Sequence, residues 1–346
     1  MNYLQNEPRY EGMRSARIRR WSVRVFASAV LAFGGYMAPN DTARAQTDYP
    51  TRAIKIVNPF APGGNTDIIA RLVAAHLHKA WGQPVVVENR EGAGGTIGTD
   101  AVARAAPDGY TLLLATLAAT AIAPSVHPKL PYDPLKDFAP IIGMTIGYSV
   151  LGVSPKLPVK TLKELIDYAK ARPGELMFSS PGAGVSSHLA MENFGHVTNT
   201  KLVHVPYRGS APALAAVMAG DVQMSFDPIS TMAPLVLDGK IRPIAVAGPK
   251  RSPKLPDVPT TTEAGEPAIQ SAAWTGLMAP AGTPPAIIEK IQNEVAKMLQ
   301  SQDFRDRMEK LATEVLDMPA DKFAAYVKSE TEAWGQIAKR VKSNAN

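Results

Sequence analysis

Three glycine-containing segments of this chain are placed to bind an anion without a charged side chain. They are Pro62-Gly63-Gly64-Asn65, Gly92-Ala93-Gly94-Gly95 and Pro181-Gly182-Ala183-Gly184. Each follows a short run of residues typical of a strand and precedes a run with helical spacing. The first N–H groups of a helix have no partner within the helix, and the helix dipole is positive there. A carboxylate or phosphate can therefore bind to the backbone of such a turn.

A glycine pair after a strand can also be only a tight turn. The repetition favours anion binding, because ligands of open α/β sheets bind beyond the carboxyl ends of the strands. The loops do not fit nucleotide-binding fingerprints. Ile97 stands where the third glycine of a dinucleotide motif would be, and no Walker lysine follows the first or the second loop.

Two other strand ends supply polar candidates for the same cleft, namely Tyr207 and Asp227. Arg208 could pair with a ligand carboxylate through two parallel hydrogen bonds, although an arginine that leaves a strand is as often a surface residue. Asp227, which precedes a proline, can instead fix a turn. Asp67 can instead favour the dipole of its own helix.

The residue types needed for catalysis or for a metal site are poorly represented. The chain has no cysteine, which excludes disulfides, thiol nucleophiles and thiolate metal ligands. His76 and His78 point to different sides of a helix. Ser186-Ser187-His188 lacks a nucleophile elbow, and neighbouring helical residues do not face one substrate. We therefore expect no metal, no cofactor and no catalytic residue, with a triad assembled across the fold as the alternative.

Strand-like and helix-like segments alternate from Arg52 onward, which predicts an α/β fold with helices on both faces of the sheets. Helix starts are marked by Thr161 with Glu164, a capping box, and by Thr283 before Pro284. The predicted strands cover 54–57, 85–88, 110–115, 176–179, 202–205, 222–226 and 241–246.

The length of the chain predicts two lobes, because a single core usually stops growing at about 250 to 300 residues. Residues 283–342 contain no evident strand, so we expect their helices to pack back on the first lobe. The chain then crosses between lobes near 148–152 and 273–278. This predicts a first lobe of 46–148 and 275–346, a second lobe of 149–274, and a cleft between them.

The first 45 residues fit a secretory signal. A basic segment with Arg19 and Arg20 precedes an apolar run over 25–36, and Ala43-Arg44-Ala45 fits a cleavage site. The apolar run is shorter than the about 20 residues of a membrane span. We expect export to the periplasm and cleavage near Ala45, by the general secretory or the twin-arginine route, from a start at Met1 or Met13.

The basic charge of the chain lies mostly in this leader. Of 37 Lys and Arg and 31 Asp and Glu, the leader holds seven and three, which leaves 30 and 28 in the mature chain. A nearly balanced charge without a clustered basic face argues against nucleic-acid binding.

The chain resembles the Bug (TctC-like) extracytoplasmic solute receptors, the binding subunits of tripartite tricarboxylate transporters. Seven motifs in family order carry the resemblance across nearly the whole mature chain. They are YPTRAIKIV at 49–57, PFAPGGNTD at 59–67, NREGAGG at 89–95, PDGYT at 107–111, LPYDPLKDF at 130–138, HVPYRG at 204–209 and WTGLMAPAGTP at 274–284.

The resemblance implies a type II periplasmic binding fold with a hinged cleft, in which backbone amides and ordered waters hold a ligand carboxylate. The implied contacts in the first lobe are Phe60, Ala61, Pro62, Gly63, Gly64, Asn65, Thr66 and Asp67. Those in the second lobe are Ser179, Ser180, Gly182, Gly184, Val185, Ser186 and His188. Gly94, Gly95, Thr116, Tyr207 and Asp227 surround them.

The resemblance also implies a monomeric receptor that delivers a small organic acid to integral membrane subunits of a tripartite tricarboxylate-type transporter. The alternatives are a periplasmic hydrolase on a similar scaffold and a ligand receptor for a sensor system. Val185 stands where the family often has Ser or Thr, and Thr120 and Ala123 replace a common His and Asn. A less polar pocket would favour a monocarboxylate, or a ligand with an apolar or aromatic part, over citrate-like compounds.

Overall fold

The structure, a computed structural model, describes residues 48–127, 129–207 and 209–344. The predicted signal sequence lies outside these ranges, and so does Arg208. Within them, no helix combines the length and the apolar character that a membrane span requires.

The described part of the chain forms ten strands and ten α-helices, and all seven predicted strands are present within two residues of their predicted limits. The strands are β1 (Ile54–Asn58), β2 (Val85–Asn89), β3 (Thr111–Thr116), β4 (Phe138–Val153), β5 (Met177–Ser180), β6 (Val203–Pro206), β7 (Met224–Pro228), β8 (Arg242–Val246), β9 (Ala272–Pro280) and β10 (Glu314–Pro319). The helices are α1 (Asn65–Trp81), α2 (Thr96–Ala103), α3 (Ala123–Val126), α4 (Leu162–Ala171), α5 (Ser186–Thr198), α6 (Ser210–Ala219), α7 (Ile229–Leu237), α8 (Pro285–Gln300), α9 (Gln302–Lys310) and α10 (Ala320–Asn344).

The long strand β4 joins two lobes, because its partners change along its length. Up to Tyr148 it pairs with β9, and it also pairs with β10. From Ser149 onward it pairs with β7, and from Val150 with β8. We call the first set of strands, with β1, β2 and β3, the first lobe, and β5 to β8 with the second half of β4 the second lobe. The chain thus has an α/β fold with two lobes.

Within each lobe, parallel strands deliver their carboxyl ends to one edge of the sheet. In the first lobe β1 lies between β2 and β3, parallel to both, and β9 runs antiparallel between β3 and β4. In the second lobe β5 lies between β6 and β7, parallel to both. The loops that follow β1, β2, β3, β5, β6 and β7 therefore lie where ligands bind in such sheets.

The prediction that residues 283–342 hold no strand is wrong. The strand β10 pairs antiparallel with β4, with Glu314 opposite Ile146 and Met318 opposite Gly143. The pairing is interrupted near Asp317, whose φ of 43° lies in the left-handed region. A short, irregular strand between two helices has little of the alternation by which a strand is predicted.

Helix starts were predicted with mixed success. The hydroxyl of Thr161 accepts a hydrogen bond from the Glu164 N–H at 3.2 Å, which confirms the cap of α4. The cap at Thr283 is wrong, because its hydroxyl donates to the carbonyl of Pro280 and α8 begins two residues later at Pro285. Each lobe packs its helices on its sheet around apolar residues, such as Ile69, Val73 and Leu77 of α1.

Candidate ligand-binding site

The loop from Phe60 to Gly64 is ordered by the carboxylate of Asp67. This carboxylate accepts hydrogen bonds from Gly63 N and Arg71 Nε through Oδ2 and from Asn89 Nδ2 through Oδ1, each at 2.9 Å. The hydrogen bond from Arg71 is the main reason why the pKa of Asp67 falls to about 2, against the opposing effect of burial. Both carboxylate oxygens of Asp67 thus accept hydrogen bonds from groups of the protein itself. Its role is to shape the loop.

The backbone of the same loop is held from two strand ends. The carbonyl of Phe60 accepts hydrogen bonds from the side-chain amides of Asn58 at 3.2 Å and Asn89 at 3.0 Å. Ala61, Pro62, Gly63, Gly64 and Asn65 are exposed, and Thr66 is half-buried. The first loop therefore presents an ordered but accessible backbone at the start of α1.

The second glycine loop packs directly on the first. Gly94 and Gly95 have φ angles of 68° and 94°, which favour glycine. A Cβ at Gly95 would lie 3.2 Å from the Cβ of Ala119 and 3.3 Å from side-chain atoms of Phe60 and Pro59. A Cβ there would require these neighbours to shift, and the positive φ would strain any other residue. The loops after β1 and β2 thus form one surface.

Thr116 ends β3 beside this surface and is buried. Its carbonyl accepts a hydrogen bond from the Thr120 hydroxyl at 2.6 Å, and its hydroxyl accepts one from Ala119 N at 3.4 Å. Its side chain therefore contributes to the turn that leads out of β3.

In the second lobe, a pair of stacked histidines supports the loop between β5 and α5. The hydroxyl of Ser180 lies 2.8 Å from the carbonyl of Gly182 and 2.7 Å from His204 Nε2. His188 Nδ1 accepts a hydrogen bond from Gly184 N at 3.1 Å. The two imidazole rings stack with centroids 3.9 Å apart. His188, which lies in α5, therefore stabilises the loop that precedes this helix.

Burial is the largest cause that lowers the pKa of His204, to about 4, and the neighbouring His188 lowers it further. His204 is therefore neutral at neutral pH, when its Nε2–H can donate to Ser180. Ser179 is fully buried, and its hydroxyl donates to the carbonyl of Ala213 at 3.1 Å. It holds the sheet to α6. Val185 and Ser186, both half-buried, begin α5.

The loop after β6 is joined to the loop after β5. Tyr207 N donates to the carbonyl of Ser180 at 2.9 Å, and Gly209 N donates to the carbonyl of Pro181 at 3.1 Å. Tyr207 is half-buried and packs against the apolar core around Val150. This arrangement brings the start of α6 next to the start of α5.

Asp227 is the next-to-last residue of β7, near the starts of α6 and α7, and it is fully buried. The Thr231 hydroxyl donates to its Oδ1, whereas Oδ2 has no hydrogen-bond partner among the described residues. Burial raises the pKa of Asp227 to about 6, although hydrogen bonds from Thr231 and Ser210 act in the opposite direction. Asp67, in the first turn of α1, and Asp227, near the end of β7, thus differ in how many hydrogen bonds their carboxylates accept.

The two lobes meet at these loops. Asn65 Nδ2 in the first turn of α1 donates to Ser230 Oγ in the first turn of α7 at 3.3 Å. A Cβ built on Gly184 would lie 3.8 Å from Cβ of Val126 in the first lobe. The predicted residues of both lobes therefore come together in one region.

Five helices begin in this region, and none of them has a side-chain cap. Their N-cap residues are Gly64, Gly95, Val185, Gly209 and Pro228. Elsewhere, α4 and α9 are capped by the hydroxyls of Thr161 and Ser301, whereas α3 and α8 also lack a side-chain cap. Uncapped N–H groups retain their hydrogen-bonding capacity for another acceptor. The region is therefore suited to an anion.

Sequence reasoning missed several residues that build the site. Asn89, His204, Ser210 and Ser230 position loops or reach across the cleft, yet we did not predict them. Only their places at strand ends and in first helical turns could have indicated them. Among the described residues, no cluster of His, Asp and Glu is arranged to hold a metal ion.

A separate cavity of about 460 Å³ lies beside the junction of the lobes. It is lined by Tyr148, Ile229, Lys250, Arg305 and Glu314, among others, and Lys250 and Glu314 form an ion pair across the lobes at 3.2 Å. None of the predicted ligand residues lines this cavity.

Comparison with known proteins agrees with this geometry. The family model of the tripartite tricarboxylate transporter family receptor, TctC, matches residues 69–342. The chain belongs to this family. The receptor is similar to the solved structure of the periplasmic binding protein BugD, with 34% identity, a TM-score of 0.72, and coverage of 85% of this chain and 99% of that one.

Two further solved structures similar to this receptor contain carboxylates. Rpa4515 from R. palustris, with adipate, is 36% identical, with a TM-score of 0.75 over 85% of this chain and 98% of that one. MatC from Rhodopseudomonas palustris, with bound malate, is 36% identical, with a TM-score of 0.72 over 84% of this chain and 100% of that one. The receptor thus shares its two-lobed fold with carboxylate-binding relatives.

Proposed function

We propose that this receptor captures a small organic carboxylate in the periplasm and delivers it to the membrane subunits of a tripartite tricarboxylate-type transporter. The observation that carries the proposal is the convergence of five uncapped helix N-termini from both lobes. Each offers first-turn N–H groups without a side-chain cap and the positive end of a helix dipole. The adipate and malate bound to the relatives support the same chemistry.

Backbone groups suit capture and release. A ligand held by neutral dipoles avoids the large desolvation that accompanies a buried ion pair. The contact between Asn65 and Ser230 provides a point at which the lobes close over a ligand. We infer that the lobes open and close about β4, as binding proteins of this kind do.

The binding step is tested with the protein exported by its own leader. Thermal unfolding is measured with a panel of mono-, di- and tricarboxylates, amides and aromatic acids, because a ligand of the native state raises its stability by mass action. We expect a selective rise in Tm, with the ligand recovered unchanged. No rise with any carboxylate, or conversion of the compound, would contradict the proposal.

Delivery of the ligand to the membrane subunits is tested by measuring uptake in intact cells. Uptake of the identified compound is compared between cells with and without this receptor, and between cells with and without the membrane subunits. Equal uptake without the membrane subunits would favour a sensory role over transport. Sequencing of the exported protein from its N-terminus tests cleavage near Ala45.

A further inference from the structure

One carboxylate oxygen of Asp227 is buried without a hydrogen-bond partner among the described residues. Asp227 is fully buried, and Oδ2 has no hydrogen-bond partner among the described residues. Buried polar atoms without a partner are uncommon in folded proteins, and a carboxylate oxygen is a strong acceptor. Within the described part of the chain, one acceptor oxygen in the interior is therefore left without a hydrogen bond.

The surroundings of Asp227 do not compensate its charge. The Thr231 hydroxyl, which donates to its Oδ1, and the nearby Ser210 hydroxyl are neutral, and no cation of the described residues pairs with Asp227. The contrast with Asp67 is informative, because Asp67 receives hydrogen bonds from an arginine, an amide and a backbone N–H. An ammonium or N–H donor on a ligand would supply the hydrogen bond that Asp227 Oδ2 lacks.

The position of Asp227 places such a donor in the ligand site. It is the next-to-last residue of β7, near the start of α7, and Ser230, in the first turn of α7, receives the hydrogen bond from Asn65 of the other lobe. Ser210, whose hydroxyl also acts on Asp227, belongs to the first turn of α6. Both helices begin without side-chain caps. The free acceptor thus lies among the groups that would bind a carboxylate.

We propose that Asp227 selects ligands that carry an N–H donor, an ammonium or an amide, in addition to the carboxylate bound at the helix N-termini. The inference rests on the proposed function, since it assigns the second end of the same ligand. A second carboxylate on the ligand would instead meet the Asp227 carboxylate and be repelled. Asp227 is then a specificity-determining residue.

The test uses carboxylates of graded length that end in an ammonium, an amide, a methyl or a second carboxylate group. The ammonium series runs from β-alanine to ε-aminocaproate, and succinate, glutarate and adipate represent the dicarboxylates. Affinities are measured by calorimetry on the exported protein. At the best length we expect the ammonium or amide compound to bind about 10- to 100-fold more tightly than the methyl or carboxylate compound.

The variant Asp227→Asn removes the charge and keeps the shape. We expect it to lose most of the preference for the ammonium compound and to improve the relative affinity of the dicarboxylate. The matched control is Asp221→Asn, which removes an exposed acid from the same lobe and should leave the preference unchanged. Circular dichroism and Tm establish that both variants are folded.

The pH dependence gives a second readout. Burial raises the pKa of Asp227 to about 6, so its negative charge is lost as the pH falls below that value. The preference for ammonium over methyl should shrink there in the wild type and not in Asp227→Asn.

The outcomes separate the two proposals. Tight binding of carboxylates with no effect of the end group, or an unchanged preference in Asp227→Asn, would overturn the assignment of Asp227 and leave the carboxylate receptor intact. No binding of any carboxylate at any length would overturn both.

Discussion

Asp67, in the first turn of α1, and Asp227, near the end of β7, show how two buried acids acquire different roles from their surroundings. Both side chains are buried, at 4% and 0% exposure. Three donors hold the pKa of Asp67 at about 2, whereas burial with few donors raises that of Asp227 to about 6. The first acid stabilises the folded site, and the second destabilises the fold at neutral pH. We therefore expect opposite consequences when each is replaced.

Replacement of Asp67 by alanine should disorder the first loop. The change removes the acceptor of Gly63, Arg71 and Asn89, so we expect a loss of roughly 2–3 kcal/mol in the free energy of unfolding and at least about tenfold in ligand affinity. Urea unfolding and calorimetry measure these effects.

The control for this prediction is Asp100→Ala. Asp100 also pairs with an arginine one turn later, Arg104, on the surface of α2. Such pairs contribute about 1 kcal/mol or less, and affinity should not change. Equal effects of the two variants would show that Asp67 has no special role in the loop.

Replacement of Asp227 by asparagine should stabilise the empty protein in a pH-dependent way. Because its pKa is raised from 3.8 to about 6, the folded state binds a proton more readily, and the destabilisation is complete above about pH 6 and absent below about pH 4. The full effect is about 3 kcal/mol, of which we expect roughly 1–3 to be recovered. Unfolding of both proteins from about pH 4 to about pH 7.5 measures it. A gain that does not change with pH would contradict this account.

The sequence indicated both acids but could not rank them. Asp227 directly follows a predicted strand, Asp67 lies in the first turn of a predicted helix, and a local alternative existed for each. The difference depends on Asn89, which reaches Asp67 from the end of β2, whereas none of the described residues donates to Asp227 Oδ2. Contacts between separate strand ends are set by packing, which a single sequence does not reveal.

At the scale of elements, the site depends on how closely α2 approaches the first loop. A Cβ at Gly98 would lie 2.7 Å from the carbonyl of Arg90 and 3.0 Å from the Cα of Pro59. Both are backbone atoms and cannot rotate away. The missing side chain therefore sets the distance between the loops after β1 and β2.

We expect Gly98→Ala to push α2 from Pro59, with a loss of about 1–3 kcal/mol in stability and a clear loss of ligand affinity. The control is Gly335→Ala in α10, where a Cβ would meet only the Ser125 hydroxyl at 3.4 Å. That variant should be neutral or slightly stabilising, since alanine favours a helix. Unfolding and calorimetry compare the two. Unchanged affinity in Gly98→Ala would show that the loops adjust independently.

The glycine loops and the strands before them were predictable because each element carries its own signal over a few residues. The strands β4, β9 and β10 were not among the predicted strands. They pair mainly with one another, from distant parts of the chain, and β10 includes an irregular turn at Asp317. Their formation is a property of tertiary pairing, which overrides weak local preference.

At the scale of the whole molecule, the contact between Asn65 and Ser230 allows a direct test of lobe movement. The chain contains no cysteine, so Asn65→Cys with Ser230→Cys would introduce the only thiols. Asn65 Nδ2 and Ser230 Oγ lie 3.3 Å apart, so cysteines at these two positions place their thiols on opposite sides of the same contact between the lobes. Oxidation should trap the lobes together.

We expect ligand association and release to slow at least about tenfold in the oxidised double variant and to recover on reduction. Stopped-flow fluorescence measures the rates, with Asn65→Cys alone as the control. A disulfide that forms fully while exchange stays fast would show that the ligand does not enter between these loops.

The pairing of β3 with β9 also limits the order in which the two lobes can fold as the chain is synthesised. Thr116 pairs with Thr275, whereas the strands of the second lobe all lie between Ser149 and Val246. A chain that emerges N-terminus first can therefore finish the second lobe while the edge of β3 is still open. Such an edge invites incorrect pairing until β9 arrives. The ligand site proposed between the lobes is therefore complete only after β9 has joined β3 to β4.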